Sequence, residues 1–377
     1  MTQKISEKDY FIEYPKAPEK FTAPLHLKIT LAIGATSLLI HIFSRISNVF
    51  ADFFTENIAS VFRTILSTLT GWIPFSLAEC FLFMLPIILV IYFSLTYDYY
   101  IRKNNNIRSL VFGMLSFALS LYSLAVFTFM TGYFNSTLDQ KLDIKANEVS
   151  ANELYDTAMK INGEINQLTE GIDYGNNDFS VMPYDIYTMG DKLIESYRTL
   201  KDKYPFIHNI NAKIKPVCLS EAMSYTHITG VYTYFTGEAN LDVNFPDYSL
   251  PFTAAHEFAH QRGIARENEA NFIAFLVCIN SDDPYIKYSG YTNMLQYVSN
   301  ALYSADKTLY QKLKRKTDAN VNGEFAAYSL FFNKYRNSQV SKISGTINDT
   351  YLKLQGTEGT KSYGMVVDLA VAYYKDK

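Results

Sequence analysis

The sequence predicts two differently solvated parts: an α-helical membrane anchor of three transmembrane helices, followed by a mainly α, α+β domain outside the cytoplasm. Two observations predict this division. The first third of the 377 residues is mostly apolar, whereas the rest mixes polar and apolar residues. In addition, short strand-like segments interrupt the helical spacing of the second part after residue 213.

The three apolar segments precede residue 135. Each is close to the ~20 residues needed to cross a ~30 Å hydrocarbon core, and three runs with so little charge do not fit a soluble core. The first is not a cleavable signal peptide, because no small-residue cleavage site follows its long, mixed leader. The spans are predicted at about residues 27–46, 73–97 and 110–132, so that residues 1–26 form an N-terminal tail, 27–132 the membrane domain and 133–377 the second domain.

The positive residues predict the orientation, because they mark the cytoplasmic side of a membrane protein. They are concentrated in the tail and in the loop between the second and third spans: Lys4, Lys8, Lys16, Lys20, Lys28, Arg102, Lys103 and Arg108. The loop between the first two spans has only Arg63, against Asp52 and Glu56. We therefore expect a multi-pass cell-membrane protein with a cytoplasmic N-terminus, an extracytoplasmic C-terminal domain and the lipid bilayer as a partner.

Residues 50–70, between the first two spans, form an amphipathic segment with helical spacing. This segment either lies along the outer membrane interface or packs on the extracytoplasmic domain. The three cysteines, Cys80, Cys218 and Cys278, are expected to be buried thiols rather than a disulfide framework.

The second domain begins with helical spacing over residues 140–210 and continues with a small predicted sheet. The edge strand of such a sheet could pair with an extended peptide. His227 lies in a loop between strands, where a structural or surface role is expected rather than metal ligation. The predicted strands are Ile214–Leu219, Val231–Phe235 and Ala239–Val243.

The sequence His256-Glu257-Phe258-Ala259-His260 follows the sheet and points to metal chemistry. Residues at i and i+4 share a helix face, so both imidazoles can hold one Zn²⁺. Glu257 would then face the open coordination position and act as general base on a water bound there. Pro251 gives a plausible helix start, and Gly263 can adopt the left-handed conformation that ends helices.

A second helix from about residue 266 would return toward the two histidines and supply a third ligand. Two glutamates compete, Glu267 and Glu269, and they cannot both face the metal. Glu267 is favoured because Asn271, one turn later, could orient its carboxylate. Glu269 is the alternative.

Over nearly its whole length, the chain resembles the membrane-bound domain-of-unknown-function family 3810. The stretches that carry the resemblance are Trp72–Glu79, Gly230–Tyr232, Phe235–Asn240, Leu250–Thr253, His256–Gly263, Glu267–Phe272, Tyr288–Tyr291, Asn348–Lys353 and Ser362–Val367. More distantly, the chain is similar to gluzincin-type metallopeptidases, in which HExxH precedes a Glu-x-x-Ala-(Asp/Asn) helix. This resemblance implies a zincin-like domain with Glu267 as the ligand, although the gap from His260 to Glu267 is shorter here.

These observations predict a membrane-anchored zinc metallopeptidase that acts on a peptide or protein substrate at the outer membrane surface. Tyr288, Tyr291 or a backbone group could donate a hydrogen bond in the transition state. The alternatives are a non-catalytic zinc-binding sensor or scaffold and a zinc hydrolase of cell-wall or lipid amide bonds. A net charge of −3, with no basic tract and no Gly-rich phosphate loop, predicts no nucleic acid and no nucleotide as partner.

Overall fold

The computed structural model describes residues 24–98, 107–147, 149–175 and 179–375. Within these ranges the chain is mostly helical, with long apolar helices near the N-terminus and one small sheet. The predicted tail lysines before Lys28, together with Arg102 and Lys103, lie outside the described residues. The helices are α1 (Leu25–Ile46), α2 (Asn48–Phe53), α3 (Ser60–Gly71), α4 (Leu77–Thr96), α5 (Ile107–Thr128), α6 (Leu138–Leu142), α7 (Ala151–Leu168), α8 (Ile186–Lys203), α9 (Ser220–Ser224), α10 (Leu250–Gln261), α11 (Glu267–Ile279), α12 (Pro284–Ala305), α13 (Lys307–Lys316), α14 (Ala319–Asn333), α15 (Gln339–Leu354) and α16 (Val366–Lys375).

Among the described residues, α1, α4 and α5 are long and apolar enough to cross a membrane. Two of these helices are a few residues shorter than the predicted spans. The second helix begins at Leu77 rather than residue 73, because the Ser76 hydroxyl accepts a hydrogen bond from the Glu79 N–H at 3.0 Å and caps the helix there. The third helix ends at Thr128 rather than at residue 132, and a 3₁₀ turn follows at Met130–Phe134.

The apolar helices differ in their packing. Helices α1 and α5 lie side by side, with the Thr30 and Ser116 hydroxyls 3.1 Å apart and Gly34 directly against Leu119. Helix α4 instead exposes every side chain from Phe81 to Leu95. Within the described residues its contacts are few: the Phe81 ring meets the Phe235 ring at a centroid distance of 6.4 Å, and the Tyr92 hydroxyl lies against Gly113 of α5.

The predicted amphipathic segment is helical throughout: α2, a π-helical turn at Phe54–Ala59, and α3. It contacts the second part of the chain, because a Cβ on Gly237 would lie 2.8 Å from the Leu66 Cβ. Its opposite side exposes Val61, Ile65 and Leu69. The segment therefore packs on the second part of the chain, and an apolar face remains on its other side.

Carboxylates tie the start of α4 to the second part of the chain. Glu238 is buried and accepts hydrogen bonds from the Leu77 and Ala78 N–H groups at 3.2 and 3.1 Å. Glu79 in turn accepts from the N–H groups of Cys218 and Leu219 at 2.8 and 2.9 Å. Acidic groups at a helix N-terminus satisfy its free amides and interact favourably with its dipole.

The predicted sheet is confirmed, with shorter strands: β1 (Ile214–Pro216), β2 (Gly230–Thr233) and β3 (Glu238–Leu241). Their order is β1-β3-β2, with β1 parallel and β2 antiparallel to β3. Strand β2 is therefore an edge strand. Helix α10 packs on β2 and β3 on one side and on α11 on the other, and α11 is buried along almost its whole length.

The three cysteines are free, as predicted, but their burial was only partly predicted. Cys278 is buried in α11, Cys80 is half-buried and Cys218 is exposed. The prediction was wrong for Cys218 because the strand that precedes it ends at Pro216 and the chain turns to the surface there.

Candidate metal centre

Helix α10 carries the His-Glu-x-x-His sequence and begins as predicted. Pro251 lies in its first turn, where the N–H that proline lacks would have no helical partner. The helix ends at Gln261, and Gly263 has a φ of +93°, the left-handed conformation expected from the sequence. The chain then needs only three residues to reach Glu267, the first residue of α11, so the start of α11 lies beside the histidines.

The structure brings His256, His260 and Glu267 together, all three buried. The Glu267 Oε2 lies 3.2 Å from the His256 Nε2 and 3.3 Å from the His260 Nε2. The two imidazole rings are nearly perpendicular, with centroids 4.5 Å apart. The His260 Nδ1 lies 2.7 Å from the Ile264 carbonyl oxygen, so a proton on Nδ1 leaves the Nε2 lone pair directed at Glu267.

The three groups fit a zinc ion. Two ligand atoms about 2.0–2.1 Å from one tetrahedral ion lie about 3.3 Å apart, which matches both separations. Moreover, the Glu267 Oε2 has no hydrogen bond of acceptable geometry among the described residues, although two imidazole nitrogens are within contact distance. The three ligand atoms all lie within 4.8 Å of one another, close enough to share one ion. Two imidazoles and a carboxylate are a usual ligand set for zinc at hydrolytic sites.

Electrostatics keep the Glu267 carboxylate charged. Burial opposes ionisation of Glu267, yet the two imidazoles hold the pKa of its carboxyl below the usual range. Burial would likewise lower the pKa of His260, but the adjacent Glu267 carboxylate outweighs burial and raises that pKa to about 9. A cation that binds here would replace the proton on the imidazole as the partner of the carboxylate.

Glu269, the alternative ligand, belongs to a different network. Its Oε1 accepts a hydrogen bond from the Leu138 N–H at 3.0 Å and lies 2.7 Å from Arg266 Nη1. Arg266 also donates to the carbonyl oxygens of Tyr133 and Asn135. Glu269 therefore fixes the segment that follows α5, and the geometry favours Glu267 as the third ligand.

Glu257 lies next to the histidines and against β2. A Cβ on Gly230 would lie 2.6 Å from the Glu257 Oε1, so only glycine lets the carboxylate approach the strand so closely. Burial raises the pKa of Glu257. Its Oε2 has no hydrogen-bond partner among the described residues, which leaves this atom able to accept a proton.

A cavity of about 510 Å³ opens onto His256 and Glu257. This volume is in the range of ligand sites in proteins. Apart from Glu257 and the two histidines at positions 227 and 256, its described lining is uncharged and rich in amides and hydroxyls. The polar lining residues include Thr226, Thr229, Ser249, Thr253, Asn271, Asn293, Gln296, Tyr297, Asn300, Tyr328, Ser341, Ser344, Asn348, Thr360 and Tyr363.

Two predicted roles differ in the structure. Asn271 does not orient Glu267; its Nδ2 donates to the Tyr363 carbonyl oxygen at 3.3 Å. Tyr288 and Tyr291 are absent from the described cavity wall, and the Tyr288 hydroxyl donates to Glu324 at 2.7 Å. His227 lines the cavity outside the group of candidate ligands, with its Nε2 2.8 Å from the Tyr335 carbonyl oxygen.

Tyr363 is a site residue that the motif analysis missed. It lines the cavity, and burial together with the nearby Glu267 carboxylate raises the pKa of its hydroxyl well above the usual range. The hydroxyl therefore stays protonated and can donate a hydrogen bond. Spacing along the chain could not identify it, because almost 100 residues separate Tyr363 from Glu267; only its place in the family resemblance pointed to this stretch.

Arg63, from the amphipathic segment, is fully buried beneath the turn that joins α10 to α11. Its guanidinium donates to the carbonyl oxygens of Thr55 at 2.9 Å, Thr128 at 3.0 Å and Arg262 at 3.4 Å. Gly263 lies directly against it. The Arg63 side chain thus joins the amphipathic segment to the end of α5 and to the end of α10.

We expect Arg63→Met to lower the free energy of unfolding by about 3 kcal/mol or more. The substitution leaves three carbonyl groups without this donor, at about 1–3 kcal/mol for each buried unsatisfied group. The measurement is denaturant unfolding of the full chain in detergent. Arg315→Met is the matched control, because Arg315 is exposed on α13; equal stability of the two variants would contradict the role of Arg63.

The aromatic ring of Phe129, just after α5, meets the His260 ring edge-on at a centroid distance of 5.7 Å. The end of the third apolar helix therefore contacts a candidate ligand directly. The site therefore packs directly against the segment that follows α5.

Comparison with known proteins gives a family but no activity. The model of the family described as "Protein of unknown function (DUF3810)" matches residues 54–371, which include all the candidate site residues. No match was found among curated proteins or among solved structures. Because the match extends from the amphipathic segment to α16 and covers well over half of the sequence, the chain belongs to the DUF3810 family.

Proposed function

We propose that this protein is a membrane-anchored zinc metallopeptidase that hydrolyses peptide bonds outside the cytoplasm. The observation that carries the proposal is the convergence of the Glu267 Oε2 and two histidine Nε2 atoms beside a buried glutamate at the wall of a cavity. A purely structural zinc site has no need for Glu257 or for a cavity. The zincin-like character of the domain is part of this proposal.

His256, His260 and Glu267 would hold the ion. When bound, Zn²⁺ would polarise the scissile carbonyl and lower the pKa of a water molecule to ~7. Glu257 takes the proton from the attacking water at its Oε2 and passes it to the leaving amine. The protonated hydroxyl of Tyr363 would donate a hydrogen bond to the oxygen that gains negative charge.

The edge strand supports a peptide as the substrate. Gly230 begins β2, lies against Glu257 and lines the cavity. Within the described residues, β2 pairs only with β3. An extended peptide laid along this edge would therefore pass the Glu257 carboxylate.

The direct test measures zinc per chain and cleavage of a mixed peptide library by the purified full-length protein and by Glu257→Gln. Cleavage by the wild type that Glu257→Gln lacks would support the peptidase. A wild type that binds zinc and cleaves no peptide would contradict it and favour the scaffold.

The membrane location rests on three apolar helices, of which α4 exposes an uninterrupted apolar surface. In water, each aliphatic or aromatic side chain that stays exposed loses the roughly 1.5–3 kcal/mol of stabilisation that its burial would give. Lipid chains, in contrast, solvate such a surface. Lys28, in the first turn of α1, lies at the opposite end of that helix from Arg45, whose side chain contacts α15. We propose that the Lys28 end is cytoplasmic and that the catalytic domain lies outside.

This orientation predicts the behaviour of reporter fusions. A phosphatase reporter that works only outside the cytoplasm should be active when fused after Lys377 and inactive when inserted near Asn105. The reason is that the two positions lie on opposite sides of the third span. Activity near Asn105 with none at Lys377 would reverse the proposed topology.

A further inference from the structure

Helix α15 has three faces of different character. Ser341, Ser344, Gly345 and Asn348 line the cavity. A second face carries exposed polar groups, among them Lys342, Thr346 and Lys353. Between them lies a strip of exposed apolar side chains within about 80° of arc on the helix: Val340, Ile343, Ile347, Tyr351 and Leu354.

Apart from Tyr351, which is 36% exposed, the apolar strip is largely uncovered in the described residues. Ile343, Ile347 and Leu354 are 63%, 65% and 67% exposed. A single exposed aliphatic side chain is ordinary, but a continuous strip along four turns marks an interaction surface. A helix with one apolar face and lysines on another has the pattern of helices that lie in a membrane interface.

The last turn of α15 lies at the end of the first apolar helix. The Arg45 Nη2, in the last turn of α1, donates to the Leu354 carbonyl oxygen at 2.6 Å. The Tyr351 ring meets that of Tyr133, which follows α5, at a centroid distance of 6.0 Å. The proposed topology makes these the outer ends of two spans, so the end of α15 lies where the bilayer surface must be.

The chain beside Arg45 continues the apolar surface. Ile46, the last residue of α1, and Val49, shortly after it, are 74% and 79% exposed. The C-terminal end of the strip on α15 therefore lies at the level at which apolar residues leave the membrane. This continuity points to lipid as the occupant of the strip.

We propose that α15 lies on the outer leaflet of the bilayer with its apolar strip among the lipid chains. The proposal rests on the proposed topology and is independent of peptidase activity. Because the neighbouring face of α15 forms a wall of the cavity, the bilayer would lie beside the cavity mouth. Substrates would then be peptide segments held close to the membrane surface.

The test places single tryptophans on α15 in liposomes of phosphatidylcholine and phosphatidylglycerol with brominated acyl chains. Trp72→Phe removes the one native tryptophan, which is almost fully exposed. In that background Ile347→Trp should be quenched by the brominated chains and emit at shorter wavelength. Thr346→Trp, on the polar face of the same turn, should show neither change. Both sites are exposed, so neither substitution disturbs the core.

Val90→Trp in α4 reports insertion of the chain. Quenching at Val90→Trp without quenching at Ile347→Trp would overturn the α15 proposal while leaving the membrane anchor intact. A shift at Ile347→Trp that disappears when the protein is diluted in the membrane, without quenching, would identify a second copy as the occupant and also overturn it. No quenching at any site would contradict membrane insertion itself, and with it the position of α15. None of these readouts depends on zinc or on peptide cleavage.

Discussion

Glu257→Gln is expected to abolish measurable peptide cleavage while zinc content and folding stay near those of the wild type. Removing a positioned general base typically costs ~10²–10⁴ in rate. Glu257 is not among the three converging ligand atoms, and glutamine preserves the shape of the side chain against Gly230. The measurements are the cleavage rate, zinc per chain and the denaturant midpoint of both proteins.

The same variant separates an enzyme from a scaffold in the cell. A scaffold needs only its ligands and its packing, which Glu257→Gln retains. A Glu257→Gln protein that binds zinc and fully complements a deletion would therefore count decisively against the peptidase. Substrate that accumulates uncleaved at the membrane in the variant strain would support it.

Much of the site could be predicted from local sequence because its parts are close along the chain. The i and i+4 spacing placed both histidines on one face of α10, and the glycine requirement of a left-handed turn placed Gly263. The return of α11 then brought Glu267 within 3.3 Å of both imidazoles. Each of these steps involves fewer than a dozen residues.

The long-range contacts could not be predicted in this way. Arg63 looked like a lone charge in an amphipathic segment, but its hydrogen-bond acceptors lie as far away as Thr128 and Arg262. Similarly, nothing local distinguished Tyr363 from the other tyrosines. A polar side chain that satisfies distant backbone groups leaves no periodic pattern in the sequence.

The fold class was predictable for a different reason: the solvent determines the composition of each part. Apolar runs long enough for a membrane stand out against the mixed remainder, and α1, α4 and α5 follow them within a few residues. Boundaries were less accurate because capping decides them. The hydrogen bond from the Glu79 N–H to the Ser76 hydroxyl sets the start of α4, and an average of hydropathy along the chain contains no information about it.

His256→Ala and His260→Ala are each expected to remove zinc, because the loss of one of three protein ligands leaves a two-ligand site. Glu267→Gln should weaken zinc binding strongly for the same reason. Glu269→Gln is the matched control: it sits two residues away on the same helix turn, yet bonds Leu138 and Arg266 instead of the histidines. Zinc binding is measured per chain by competition with a chelator.

A second readout is stability, since a ligand present at 100 times its Kd adds about 2.7 kcal/mol to the free energy of unfolding. Zinc should therefore stabilise the wild type and Glu269→Gln but not Glu267→Gln. If Glu269→Gln loses the metal while Glu267→Gln keeps it, the assignment of the third ligand is reversed.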